Sequence, residues 1–150
     1  MSTKKSLKIY FDACAYNRPF DDLTQTRINI EAEAILTIIR LCKQHNWQII
    51  SSDVAELEIK NTKNMLKQSK VLSLLSLAKY KLYADSYTAQ KATAIQTSGI
   101  QALDSFHIAL CEEHDIDFLI STDDKMIKLA QRLDLKVTVI NPIKFLAEVL

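Results

Sequence analysis

Apolar and polar positions recur along the chain with two different periods. Leu7–Phe11 is a short apolar run with β-branched and aromatic side chains, which predicts a strand ending at Asp12. A polar stretch with Asn17, Pro19, Asp21 and Asp22 reads as a loop. Ile28, Ala32, Ile35, Ile39 and Cys42 then recur every three to four residues, predicting a helix capped by Asp21 or Asp22 that runs to about His45. Trp47–Ile50 reads as a second strand, with Ser51, Ser52 or Asp53 capping a helix that reaches Lys60. Asn61–Lys79 reads as a helix with Met65, Leu72, Leu75 and Leu77 on its apolar side, and Tyr80–Tyr83 as a third strand. Ser86–Thr97 reads as a helix followed by Gly99 in the C′ position. The remaining pattern gives a helix over Ala102–His114, a strand over Phe118–Ile120, a helix over Asp123–Leu133 and a strand over Val137–Ile140. A last short helix starts at Asn141-Pro142 and ends near Leu150.

Strands that alternate with helices imply a parallel sheet covered on both faces, an α/β domain of three layers. The 150 residues suit one domain over 1–150. At that size folding buries roughly 70% of the surface of the unfolded chain. One glycine and two prolines disfavour an all-β fold built on tight turns.

In an open parallel sheet ligands bind beyond the carboxyl ends of the strands. Asp12 directly follows the first strand, and Ser121-Thr122-Asp123-Asp124 follows the strand at Phe118–Ile120. Glu56 and Glu58 lie within two turns of the second strand's end, and Asp104 opens the Ala102 helix. Four segments thus aim carboxylates at one rim. Like charges so placed destabilise a fold unless a cation neutralises them. An oxygen-only donor set suits the hard ions Mg²⁺ and Mn²⁺. The plainer role for an Asp after a strand is a helix cap, and one of Asp123 and Asp124 is expected to serve as one.

Four short segments, in order, resemble those of the PIN-domain family of VapC-type toxin ribonucleases. They are Ile9-Tyr10-Phe11-Asp12-Ala13-Cys14, Ser52-Asp53-Val54-Ala55-Glu56-Leu57-Glu58-Ile59, Ala102-Leu103-Asp104-Ser105-Phe106-His107-Ile108-Ala109 and Leu119-Ile120-Ser121-Thr122-Asp123-Asp124-Lys125-Met126. The stretch from Asp12 to Asp22 also resembles a branch of bacterial PIN proteins. The resemblance implies a PIN-like, Rossmann-like fold and a Mg²⁺/Mn²⁺-dependent endoribonuclease, with Asp12, Glu58, Asp104 and Asp123 holding the metal whose bound water attacks the phosphodiester. Glu56 and Asp124 are the alternates to Glu58 and Asp123. About 200° of helix separates residues 56 and 58, so only one of them can face the site. The family also implies RNA as partner, an antitoxin protein and a homodimer. Cys14 departs from the pattern, because Ser or Thr is usual there and a thiol is a poorer donor. Ser121 stands in place of the usual Thr.

A net charge of +1 gives no global basic field. Locally, Lys60, Lys63, Lys67, Lys70, Lys79 and Lys81 form a stretch without an acid. Asn17, Arg18, Lys60, Lys63 and Lys67 are therefore the candidate RNA contacts, against the plainer reading of a solvated helix face. His107, Cys111 and His114 share one helical face as a zinc half-site would, although an inward-packed Cys is the simpler reading. A single glycine excludes P-loop and dinucleotide-binding sites. Three unpaired cysteines, no leader within Met1–Lys8 and no long apolar run point to a cytoplasmic protein without a membrane span. The alternative to catalysis is a PIN-like module that binds nucleic acid or a protein without cutting.

Overall fold

Alternation within each strand decides which layer its side chains join. The computed structural model describes residues 6–150, so the reading of Met1–Lys8 lies outside the described residues over 1–5. Strands β1 (Lys8–Phe11), β2 (Gln48–Ser52), β3 (Tyr80–Leu82), β4 (Phe118–Ile120) and β5 (Thr138–Ile140) form one parallel sheet in the order β3-β2-β1-β4-β5. Ile9, Phe11, Ile49, Ile120 and Ile140 face one side, and Tyr10, Ile50, Leu119 and Val139 face the other. Both sets are buried, which is why the strands read as nearly continuous apolar runs.

The first face is covered by α1 (Ala13–Asn17), α2 (Thr26–His45), α3 (Asp53–Lys60), α4 (Met65–Leu75) and α8 (Pro142–Val149). The second is covered by α5 (Ser86–Gln96), α6 (Ala102–Glu113) and α7 (Asp124–Gln131). This is the three-layer α/β architecture expected from the hydrophobic pattern. Among the described residues, no helix is long and apolar enough to cross a membrane.

Local hydrogen bonding moved three boundaries. The segment read as a loop after Asp12 contains α1 and a 3₁₀ turn at Arg18–Phe20, because the Asp12 carboxylate accepts the Ala15 N–H and starts a helix at once. Asp22 does not cap α2. Its Oδ1 accepts from Thr24 N and Oγ1 at 3.1 and 2.6 Å, closing an Asx turn that delays α2 to Thr26. The helix read over Asn61–Lys79 is shorter, since Asn64 caps it and it stops at Leu75. Met65, at its start, and Leu77, past its end, lie 70% and 56% exposed. Gly99 has φ 101°, a left-handed conformation that an L side chain rarely adopts.

One carboxylate inside the first layer organises the chain around α2. Glu31 is fully buried. It pairs with Arg18 Nε and Arg27 Nε, each at 3.1 Å, and accepts from Asn141 Nδ2 at 2.7 Å. Arg27 continues to Asp124 at 2.7 Å, and Arg18 to Asp21 at 3.2 Å. Glu31→Ala would strand the arginines and Asn141 at once. The expected loss is about 3 kcal/mol, the low end for a broken buried pair because both arginines keep some water. Urea unfolding at neutral pH measures it, and a loss below about 1 kcal/mol would contradict the role given to Glu31.

Candidate active site

The chain leaves β1 toward β2 and β3 on one side, then returns to β4 and β5 on the other. The carboxyl ends of β1 and β4 therefore flank the switch point, where open α/β sheets bind ligands. Asp12 sits there, its N–H donating to Ile120 O at 3.2 Å. Its side chain is 1% exposed. Oδ1 accepts the Ala15 N–H at 2.9 Å, whereas Oδ2 is buried without a hydrogen-bond partner. Burial raises its pKa above the ordinary carboxylate value, with Glu58 adding to the rise. His107, the nearby Ser121 hydroxyl and the Ala15 N–H oppose it. The neighbouring Thr122 Oγ1 is also buried without a partner.

Asp104 lies in the first turn of α6, where free N–H groups favour a negative charge. Even so, its carboxyl is pushed up to about 6, first by burial and then by the charges of Asp12, Asp123 and Glu58. Asp123 both caps α7, accepting from Met126 N at 3.1 Å, and adds its charge to this rim. Its backbone N–H donates to Ser121 Oγ at 3.1 Å. A small cleft is lined by Asp104, Asp123 and Lys125.

The doubled candidates separate. Glu58 reaches the rim, and its Oε1 meets His107 Nε2 at 2.7 Å. Glu56 turns away to Lys60, at 2.7 Å, and to Lys81. Those two cations hold its carboxyl down at about 2. Asp124 points to Arg27 and is exposed. The structure thus brings Asp12, Glu58, Asp104 and Asp123 to one rim and leaves Glu56 and Asp124 in ion pairs outside it.

Cys14 shares the rim. Its side chain reaches solvent, yet the crowded surroundings and the four carboxylates push its thiol up to about 12. The candidate RNA contacts are mostly committed elsewhere. Asn17 Nδ2 donates to Ala13 O at 2.8 Å, Arg18 is held by Glu31 and Asp21, Lys60 by Glu56, and Lys67 by Asp21 at 2.7 Å. Lys63 is exposed. The zinc half-site does not form: Cys111 is buried in the core, His107 faces Tyr10 and Glu58, and His114 lies exposed past the end of α6.

Sequence reasoning missed Tyr10, Ser52 and the orientation of His107. Tyr10 reads as one more aromatic in a core strand and Ser52 as a cap. The available signal was the spacing of Asp104 and His107, which puts both on one helical face.

A hard divalent cation fits these residues in two respects. The donors are carboxylate oxygens, and Asp12 Oδ2 is a buried acceptor without a close hydrogen-bond partner. Among the described residues, no three His, Cys, Asp or Glu side chains stand close enough together to hold a metal ion between them. Mg²⁺ characteristically takes few protein ligands and keeps several waters.

The raised pKa of Asp104 has a measurable sign. The folded form holds a proton up to about pH 6 that the unfolded chain releases near its ordinary value of 3.8. Metal-free protein is therefore expected to lose stability as pH rises from about 4 to 6, and Asp104→Asn to flatten that slope. Carboxyl ¹³C shifts should show Asp104 titrating near 6, and lower once Asp12→Asn removes a repelling charge. A parent midpoint near 4 would refute the crowding described above.

No protein-family model matches the chain, and no curated protein matches it. Solved structures do. A chain of the VapBC2 complex from Rickettsia felis, crystallised with a DNA fragment from its promoter, matches with TM-score 0.61 and 15% identity, over 90% of this chain and 98% of that one. A chain of a toxin–antitoxin complex from Klebsiella pneumoniae matches with TM-score 0.58 and 18% identity, over 89% and 97%. The match spans nearly the whole of both neighbours and gives this chain their fold, the PIN-like fold.

Proposed function

We propose that the chain is a Mg²⁺- or Mn²⁺-dependent endoribonuclease, with Asp12, Glu58, Asp104 and Asp123 as the residues that hold the ion. The observation that carries this reading is the crowding of four carboxylates around Asp12 and Asp104, one with a buried oxygen left unpartnered. Uncompensated, that crowding costs stability without return. Asp104 would give up its proton on loading, so affinity falls below about pH 6. Asp123 is already fixed by its cap, so its carboxylate is pre-oriented. The chemistry the ion supplies when bound is a water of lowered pKa for attack on the phosphodiester and a counter-charge for the leaving oxygen. In-line hydrolysis would leave a 5′-phosphate and a 3′-hydroxyl. Lys125, exposed at the cleft, is the cation best placed for a backbone phosphate, and Lys63 is a further exposed cation.

The two structural neighbours come from toxin–antitoxin complexes, which supports reading the chain as the toxin of such a pair with an antitoxin as partner. A second reading, a PIN-like module that binds without cutting, is favoured by one observation, the thiol at position 14 where a hydroxyl is usual.

Two measurements separate these readings. Mn²⁺ at about a hundred times its Kd should add about 2.7 kcal/mol of stability. Asp104→Asn should stay folded and lose about a hundredfold or more of the RNA cleavage rate, since charge stabilisation by a held ion amounts to several kcal/mol. Cleavage by Asp104→Asn at the parent rate would sink the site assignment. A parent chain that binds RNA without cutting it in Mn²⁺ would select the second reading.

A further inference from the structure

Three buried polar groups next to the carboxylates have no part in the reading above. Tyr10, Ser52 and His107 come from β1, β2 and α6, and all three are fully buried. Tyr10 Oη lies 2.6 Å from Ser52 Oγ and 2.6 Å from His107 Nδ1, and His107 Nε2 lies 2.7 Å from Glu58 Oε1. The line has few ways to place its protons. The Glu58 carboxylate only accepts, so a neutral His107 ring donates to it from Nε2 and accepts at Nδ1, while Ser52, whose Oγ accepts the Ala55 N–H at 3.0 Å, has its own O–H free for Tyr10. Tyr10 then donates to Nδ1, which is the bare nitrogen. The ring proton sits on Nε2 and points at Glu58. Packing alone does not call for this line, because apolar side chains at 10 and 107 would fill the space with no polar groups to satisfy.

We propose that His107 is a positioning residue for Glu58: its Nε2–H holds Oε1 and leaves Oε2 for the ion, while Tyr10 and Ser52 fix the ring's tautomer and plane. Ligating carboxylates are commonly steadied this way through a second contact. Here the support reaches from β1 and β2 through α6 to α3, so the fold itself sets the carboxylate's direction. This inference rests on the ion-holding reading of Glu58.

The test compares Mn²⁺ affinity, by titration calorimetry on the full chain, in the parent, His107→Asn and His107→Gln. Gln can place an amide N–H where Nε2–H stands. Asn reaches only the level of Nδ1 and leaves Glu58 unheld. The Asn variant is expected to bind Mn²⁺ about 10–100-fold more weakly, and Gln to recover most of that loss. On a Glu58→Gln background the Asn change should add nothing further. Equal affinity in the parent and the Asn variant overturns the positioning role and leaves the ion site standing. No Mn²⁺ binding by the parent overturns both. A measurement on the parent alone guards against an Asn variant that fails to fold. Ring ¹⁵N shifts of His107 should show a bare Nδ1 and a protonated Nε2, and the opposite tautomer overturns the proposal.

Discussion

Carboxylates gathered at the ends of strands repel one another, and every such gathering needs a framework able to hold it. Here the framework is the parallel sheet, which fixes Asp12 and the segment after β4 side by side through the backbone pairing of Phe11 with Ile120. The repulsion shows in Asp104, whose carboxyl keeps its proton well above the usual range despite a helix N-terminus that favours the charge. Helix capping absorbs part of the cost at Asp12 and Asp123. The second oxygen of Asp12 receives no such relief.

The positive charges of the molecule are arranged to a different end. Arg18 and Arg27 converge on the buried Glu31, and Lys67 reaches Asp21. Lys60 and Lys81 close on Glu56. Three of the six lysines in the stretch that reads as a basic run are thus paired, and the chain as a whole carries a net charge of only +1. Long-range attraction of a polyanion is correspondingly weak, and recognition falls to short-range contacts at the rim, which salt screens less.

Much of this was legible in the sequence because its signals are local. The strands stand out as apolar runs since the sheet buries both faces; Asp12, Asp104 and Asp123 stand out by following strand ends or opening a helix, and Glu58 only by lying within two turns of a strand end. Where two acids competed, spacing could not choose. The choice came from tertiary partners: Lys60 and Lys81 draw Glu56 away, Arg27 draws Asp124, and His107 draws Glu58 in. The short helix after Asp12 was hidden for a similar reason, since one side-chain oxygen on Ala15 N decides it. Tyr10 and His107 lie 97 residues apart, and no periodicity reports a hydrogen bond of that span.

Cys14 is the one cysteine open to solvent, and an exposed thiol would ordinarily be the group that electrophiles and oxidants find first. Its proton is held to about pH 12, which disfavours the reactive thiolate. Part of that hold is owed to burial and part to the surrounding carboxylates. Any event that neutralises those charges loosens the thiol's grip on its proton and raises its rate of alkylation. The acidity of this thiol thus follows the charge state of the rim it sits beside.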